Sequence, residues 1–439
     1  MKRKRNCFYS IITVCSILAT TVAGYGQGKN IEKTYRWTYN GDQHMSFTFS
    51  NYDCNLTIHT WDRPDIEYAM TVDAALKTEE DAGILDQYIE DLKFSNASGG
   101  ARFDNRFWSN RVSNPLKKTM TLKGGKTIRY VEFNMEGEMW IPENCILHLN
   151  SKYSEIEAED LSGDVYLDLY NDKLFGSNVN SKMKVTAKYC TLEFEKMKDI
   201  EADLYNTDIE TGDIGNLDIQ SKYSNLEMGD AGRLNINAYN DKYKFGNTGD
   251  IRFTDKYSDL NVLNAGDMEL NCYNSTVNIS KVNEVDLTSK YGKYEINRIS
   301  KRNISTAYND NFRIEELDHL GINESKYSVF KLDDLERSLL LKDGYSDKFQ
   351  IEQTGTLEEV KVNGKYVDLQ MAIGKSLNYR FKASVKYGKL DINEEAMDVK
   401  KKIQDGSQLD MEAIKGTEKD GMLTFFVNGY DIAVTLTEQ

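Results

Sequence analysis

Proline is almost missing from this chain, with three in 439 residues. Beside 27 tyrosines and many Asn and Asp, that scarcity fits strands joined by tight polar turns and argues against disorder. Histidine is nearly as rare. His44, His59, His148 and His319 are scattered without ligand spacing, and none is followed by a zinc motif. A nucleophile elbow, a phosphate loop and a Ser–His–acid arrangement are missing as well. The sequence therefore reads as a non-enzyme with no cofactor and no metal. Positive charge is also short, 55 Lys and Arg against 70 Asp and Glu, a formal net charge of −15. That balance excludes nucleic acid and anionic membrane surfaces as expected partners. No apolar run reaches the ~20 residues of a transmembrane helix.

The opening residues read as a secretory signal over 1–26. Lys2 to Arg5 form a basic segment, Cys7 to Leu18 an apolar one, and Ala19 to Gly26 a zone of small residues suited to cleavage. Removing those four basic residues leaves 51 against 70 acidic ones, a formal net charge of −19. The expected location is outside the cytoplasm: periplasmic, outer-membrane-associated or extracellular, with no transmembrane segment after cleavage. Cys54, Cys145, Cys190 and Cys272 then remain. Cys190 and Cys272 fall in coils five apart, about 24 Å at ~4.8 Å per coil, too far for a disulfide. Cys54 with Cys145 stays open.

What the chain has is a repeat. Leu217, Leu234, Ile251, Met268 and Val285 each begin a copy of one short phrase, seventeen residues after the last. Within a copy, apolar side chains take positions 1, 3, 10 and 12, as in Leu217, Ile219, Leu226 and Met228. Two alternating strands per period, repeated without change, are the pattern of a β-solenoid whose coils stack through parallel pairing. The expected fold is all-β: a right-handed β-solenoid of about 17–18 residues per coil over 146–393. Fourteen tyrosine-marked coils run from Tyr153 to Tyr387, a rod of about 65 Å at the usual strand spacing.

A small N-terminal β head over 27–145 precedes the coils. Phe47–Phe49 and Leu56–Ile58 alternate as strands around a turn at Asn51–Tyr52–Asp53, and Ile66–Val72 gives another strand. Ile84, Leu85, Tyr88, Ile89 and Leu92 fall at helical spacing behind Thr78, so one helix is expected over 78–92. Residues 95–126 lack periodicity and read as a long loop, in which Trp108 among arginines either meets a ligand or packs on the head. Ile128–Trp140 reads as a strand pair around Met135–Glu136–Gly137. Residues 394–439 form the expected C-terminal β cap over the open edge of the last coil.

Tyrosine is placed with a rule. Lys222, Lys256 and Lys290 take position 6 of alternate coils, with Tyr223, Tyr257 and Tyr291 at position 7. In the coils between, Tyr205, Tyr239 and Tyr273 take position 6 and Asn206, Asn240 and Asn274 take position 7. Positions 1, 3 and 5 point inward, so position 6 points outward, in a column alternating Lys and Tyr at spacings that permit cation–π contact. Tyr205, Lys222, Tyr239, Lys256, Tyr273, Lys290 and Trp108 are the candidate ligand surface. The column reads either as a ladder for a glycan or as scaffold that fixes register. Recurrent Gly-Asp pairs, such as Gly212–Asp213 and Gly229–Asp230, are turn pairs or, less in keeping with known calcium repeats, cation ligands.

A leader, a strand pair ending in Ile58–His59–Thr60–Trp61–Asp62, the strand Ile66–Val72, an acidic helix, a strand into Ile141–Pro142 and Gly-Asp-Val/Ile repeats together resemble the bacterial putative-adhesin family of exported repeat proteins. The resemblance covers the mature chain and implies a β-solenoid at the cell envelope. It carries over no functional residue, and tyrosine at most corners departs from the family's glycine-rich form. The leading expectation is a non-enzymatic envelope or surface protein with an adhesive or structural role, its partner a glycan or a surface protein. The alternatives are a carbohydrate-binding or polysaccharide-degrading protein on the same scaffold, or a periplasmic accessory or sensing factor.

Overall fold

The computed structural model describes residues 29–97, 100–419 and 421–439; the expected leader lies outside the described residues. The protein is nearly all β, with one α-helix, Glu79–Glu90, among the described residues. Its body is a β-solenoid. Leu217–Lys222 pairs in parallel with Leu234–Tyr239, which pairs with Ile251–Lys256 and so on, residue over residue seventeen later. The second strand of each coil stacks the same way, Leu226 on Tyr243 and Tyr243 on Leu260. Leu217, Ile219, Leu226 and Met228 are buried, as are their counterparts Leu234, Ile236, Tyr243 and Phe245. Each such side chain contributes ~1.5–3 kcal/mol relative to exposure.

Burial also includes position 5, inward by strand alternation, and position 8, which apolar patterning does not reveal. Ser221 and Ser224 are buried in one coil, and Asp255 and Ser258 two coils later. Arg302 is fully buried at position 1, in the column of Val285 and Leu320.

The ends depart from chain order. Ser46–Tyr52 and Asn55–Trp61 are themselves a coil, stacked in parallel on Ile146–Lys152 and Glu155–Ala158, so that Phe47 meets Leu147 and Leu56 meets Ile156. The chain between them, with the preceding strand Lys29–Tyr39, builds the N-terminal cover. Ile66–Leu76 pairs antiparallel with Lys29–Tyr39 on one side and Thr127–Pro142 on the other. The helix is capped by Thr78, whose side chain accepts from the Asp81 N–H, and it buries Ala82, Leu85 and Ile89.

Two expectations in this region are corrected. Residues 95–126 are not one long loop: they hold strands Ser95–Ala97, Gly100–Asp104, Trp108–Ser113 and Lys118–Leu122. Each is too short to display a period, yet Ala101, Phe103, Met120 and Leu122 are buried. Thr127–Pro142 is a single strand rather than a pair. Gly137 serves not as a turn but as space, since a Cβ there would stand 3.0 Å from the Tyr68 ring.

The C-terminus is corrected too. The coil Glu359–Lys365 and Asp368–Ile373 stacks not on Tyr379–Lys386 but on the last strands of the chain, Leu423–Tyr430 and Ala433–Glu438. Tyr379–Lys386 lies beyond them, followed by the antiparallel hairpin Asp398–Asp405 and Gln408–Lys415. Only that hairpin and the Tyr379 coil cap the rod; the final strands are an inserted coil. Phe425, Val427, Val434 and Leu436 are buried there between neighbours on both sides. Gly429 makes the fit possible, with φ 147° and the Gly364 carbonyl oxygen 1.9 Å from where its Cβ would be.

Candidate functional site

The candidate surface is built at the corner that follows each first strand. Position 7 takes a left-handed backbone in every repeat coil, whether Asn, Tyr or, at Ser346, serine: φ is 49° at Asn206, 58° at Tyr223, 57° at Asn240 and 66° at Tyr257. Asn adopts this region readily, Tyr does not. What holds tyrosine there lies partly beneath it. Asp172, at position 8, accepts from the Ser154 N–H of the previous coil at 2.8 Å and from its own coil's Tyr170 N–H at 3.0 Å. Asp347 repeats the device with Ser328 N–H at 2.9 Å, Ser325 hydroxyl at 2.9 Å and Tyr345 N–H at 3.0 Å. Burial outweighs these hydrogen bonds and pushes both carboxyls up to about 6. Asp255, inward at position 5, is pushed up to about 6 by the same cause.

Above the corner the rings meet. Fourteen consecutive edge-to-face contacts link Tyr153 to Tyr387 through every coil, with centroids 5.3–5.7 Å apart and planes at 66–83°. Tyr430 of the inserted coil stands between Tyr366 and Tyr387. The expected Lys–Tyr column exists as backbone register, Lys222 beside Tyr239 and Tyr239 beside Lys256. Its cation–π contacts mostly do not. In this column and among the described residues only Lys152 and Lys386 lie over tyrosine rings, at 5.5–5.8 Å. The partner of a position-6 ring is instead a position-7 ring of the next coil, because the left-handed corner swings that side chain into the same line.

Tyr205, Lys222, Tyr239, Lys256, Tyr273 and Lys290 are brought together along one trough of about 870 Å³ on the outer face of the first strands. Trp108 is not. It is buried in the head against Phe107 and Phe133, 4.8 and 6.5 Å away between centroids. Arg111 beside it bonds Tyr130 hydroxyl at 3.0 Å and the Phe133 carbonyl at 3.2 Å. A second trough of about 930 Å³ runs parallel on the same sheet face, lined by acidic residues such as Asp199, Asp218, Asp267 and Asp286.

The Gly-Asp carboxylates have a structural use. Asp213 accepts from the Asp230 N–H at 3.0 Å, and Asp230 from the Asn247 N–H at 2.7 Å, one coil capping the next. Among the described residues no three His, Cys, Asp or Glu side chains converge as metal ligands would. All four described cysteines are free and buried, so Cys54 and Cys145 are not paired, and burial pushes both thiols up to about 12. No described helix is long and apolar enough to cross a membrane.

No family model matches the chain, and no curated protein matches it either. Among solved structures, a crystal structure of a putative cell adhesion protein from Clostridium sporogenes ATCC 15579 aligns at 9% identity, over 93% of this chain and 100% of that one, with a TM-score of 0.17.

Proposed function

We propose that the protein is a non-enzymatic rod of the cell envelope or cell surface, whose outer strand face serves adhesion or assembly. The observation that carries this reading is repetition. The same outward groups return coil after coil along Lys188 to Lys290, whereas a catalytic centre is a single local constellation. The carboxyls whose affinity for protons is raised, Asp172, Asp241, Asp255, Asp310 and Asp347, are committed to turns inside the rod. A long, rigid and uniform surface suits an extended or multivalent partner. The basic and then apolar opening of the sequence supports export.

The test is a binding measurement set against a turnover measurement. Purified protein incubated with whole bacterial cells and isolated envelope fractions is expected to bind saturably, while soluble polysaccharides and peptides incubated with it release no fragments. Steady release of reducing ends or peptides would replace this reading with a degradative enzyme on the same scaffold.

A further inference from the structure

We propose that the tyrosine-edged trough from Lys188 to Lys290 holds an extended anionic polysaccharide with one negative group per disaccharide, two coils to each disaccharide. The inference deepens the adhesive reading above and rests on it.

The first argument is period. Neighbouring rings of the ladder stand nearly perpendicular, so the same ring aspect recurs only every second coil. Lysine at position 6 also recurs every second coil. With strands ~4.8 Å apart the surface repeat is about 9.6 Å, close to the length of a disaccharide in an extended β-linked chain. Partly exposed rings of like orientation at that interval suit the apolar face of a sugar, and an ammonium at that interval suits one carboxylate or sulfate per repeat.

The second argument is what the side chains leave unused. Among the described residues, Lys188, Lys222, Lys256 and Lys290 have no carboxylate within ion-pair distance, although all four are exposed. In the parallel acidic trough Lys182 pairs with Glu201 and Arg252 with Glu269, and Arg233 alone of its cations has no ion pair among the described residues. The middle row of the basic trough behaves the same way. The row opens on the exposed carboxylate of Asp203 beside Lys188 and continues with Gln220, Asn237, Thr254, Asn271 and Thr288, exposed at position 4, and among the described residues none of these five side chains hydrogen bonds within the chain. Asparagines at the coil ends, by contrast, are spent on their neighbours, Asn216 on Asp199 at 3.1 Å and Asn264 on Asn247 at 2.6 Å. A row of free amides and hydroxyls between a line of rings and a line of carboxylates can meet sugar hydroxyls, while the acidic trough keeps a polyanion on the tyrosine side.

Hyaluronate oligosaccharides of increasing length, titrated calorimetrically into the full mature chain, provide the test, with chitohexaose as neutral control and a thymidine 20-mer as polyphosphate control. Affinity is expected to rise with each added disaccharide until the four lysines are spanned, and to weaken as salt is added. The variant Lys222→Gln/Lys256→Gln is expected to keep its melting temperature and to bind about tenfold more weakly, having lost two charge-assisted contacts. Equal binding by that variant, or equal affinity for chitohexaose or the 20-mer, would overturn the proposal. So would sedimentation showing that the heat arises from pairing of two copies, basic trough on acidic trough. If envelope fractions are bound and hyaluronate is not, the surface-rod reading stands and the polysaccharide assignment is lost.

Discussion

The guanidinium of Arg302 lies 4.5 Å from the centre of the Phe312 ring and 5.1 Å from that of Tyr294, inside the rod, and none of its three nitrogens has a hydrogen-bond partner. Burial pulls its pKa down to about 10, so the charge is retained at neutral pH, compensated by the rings and by the Asp310 carboxyl but by no hydrogen bond. Val285 and Leu320 occupy the same column one coil to either side. Arg302→Leu is therefore expected to stabilise the protein, by ~1–4 kcal/mol if the site behaves as other buried charges replaced by apolar groups. A higher denaturation midpoint in guanidinium checks it. A lower midpoint would mean that the arginine has a partner in solution.

Left-handed tyrosine gives a second expectation. Tyr257 has φ 66° and touches Tyr239 and Tyr273, each 5.6 Å away between ring centres. Tyr257→Asn removes two ring contacts, worth ~0.5–1.5 kcal/mol each, but installs the residue that alternate coils carry at this position. Tyr257→Ala removes the same contacts and leaves a residue that pays ~1–2 kcal/mol for the conformation. Denaturant titration should rank wild type above Asn and Asn above Ala. Equal loss in the two variants would show that the corner imposes no backbone strain.

Stability should rise on mild acidification. Asp172, Asp255 and Asp347 bind protons near pH 6 when folded, against an ordinary value of 3.8. Between those values the folded chain holds more protons than the unfolded one, so the contribution of these groups is full below pH ~4 and is lost as pH climbs through 6. Thermal melts at pH 5 and 7.5 are expected to differ by several degrees in favour of pH 5. Asp172→Thr/Asp347→Ser, which borrows the residues at Thr207 and Ser275 in the same column, should shrink that difference.

Removal of residues 423–439 tests the inserted coil. Without it, Glu359–Lys365 and Tyr379–Lys386 face a gap instead of strands, and two open edges appear. The truncated protein is expected to aggregate, and limited proteolysis should cut within 375–419 while sparing 150–350. Resistance equal to that of the full chain would mean that Tyr379–Lys386 can close directly on Glu359–Lys365.

The stack from Leu217 to Ile296 is readable because each partner lies one fixed interval away, and Leu217 over Leu234 over Ile251 follows from spacing alone. The ends are not, because parallel strands can pair across any separation: Phe47 waits for Leu147, and Val360 for Phe425. A trace was present. Tyr52–Asp53 and Tyr430–Asp431 carry the same ring followed by a left-handed residue as the repeat corners. The candidate surface was readable in its six position-6 residues, since strand alternation fixes what faces out. The ring ladder was hidden because it joins position 6 of one coil to position 7 of the next, and only the backbone twist at position 7 aligns them. Trp108 looked free because its strand, Trp108–Ser113, buries little else on that face.

Placing the chain's final strands second from the end of the rod sets an order of events. During synthesis the middle coils have their partners at hand and can assemble as they emerge, but the far end stays unsealed until Leu436 arrives to take its seat beside Met371. Sealing that end thus waits on residues 423–438, and a polypeptide broken off before them carries bare strands there.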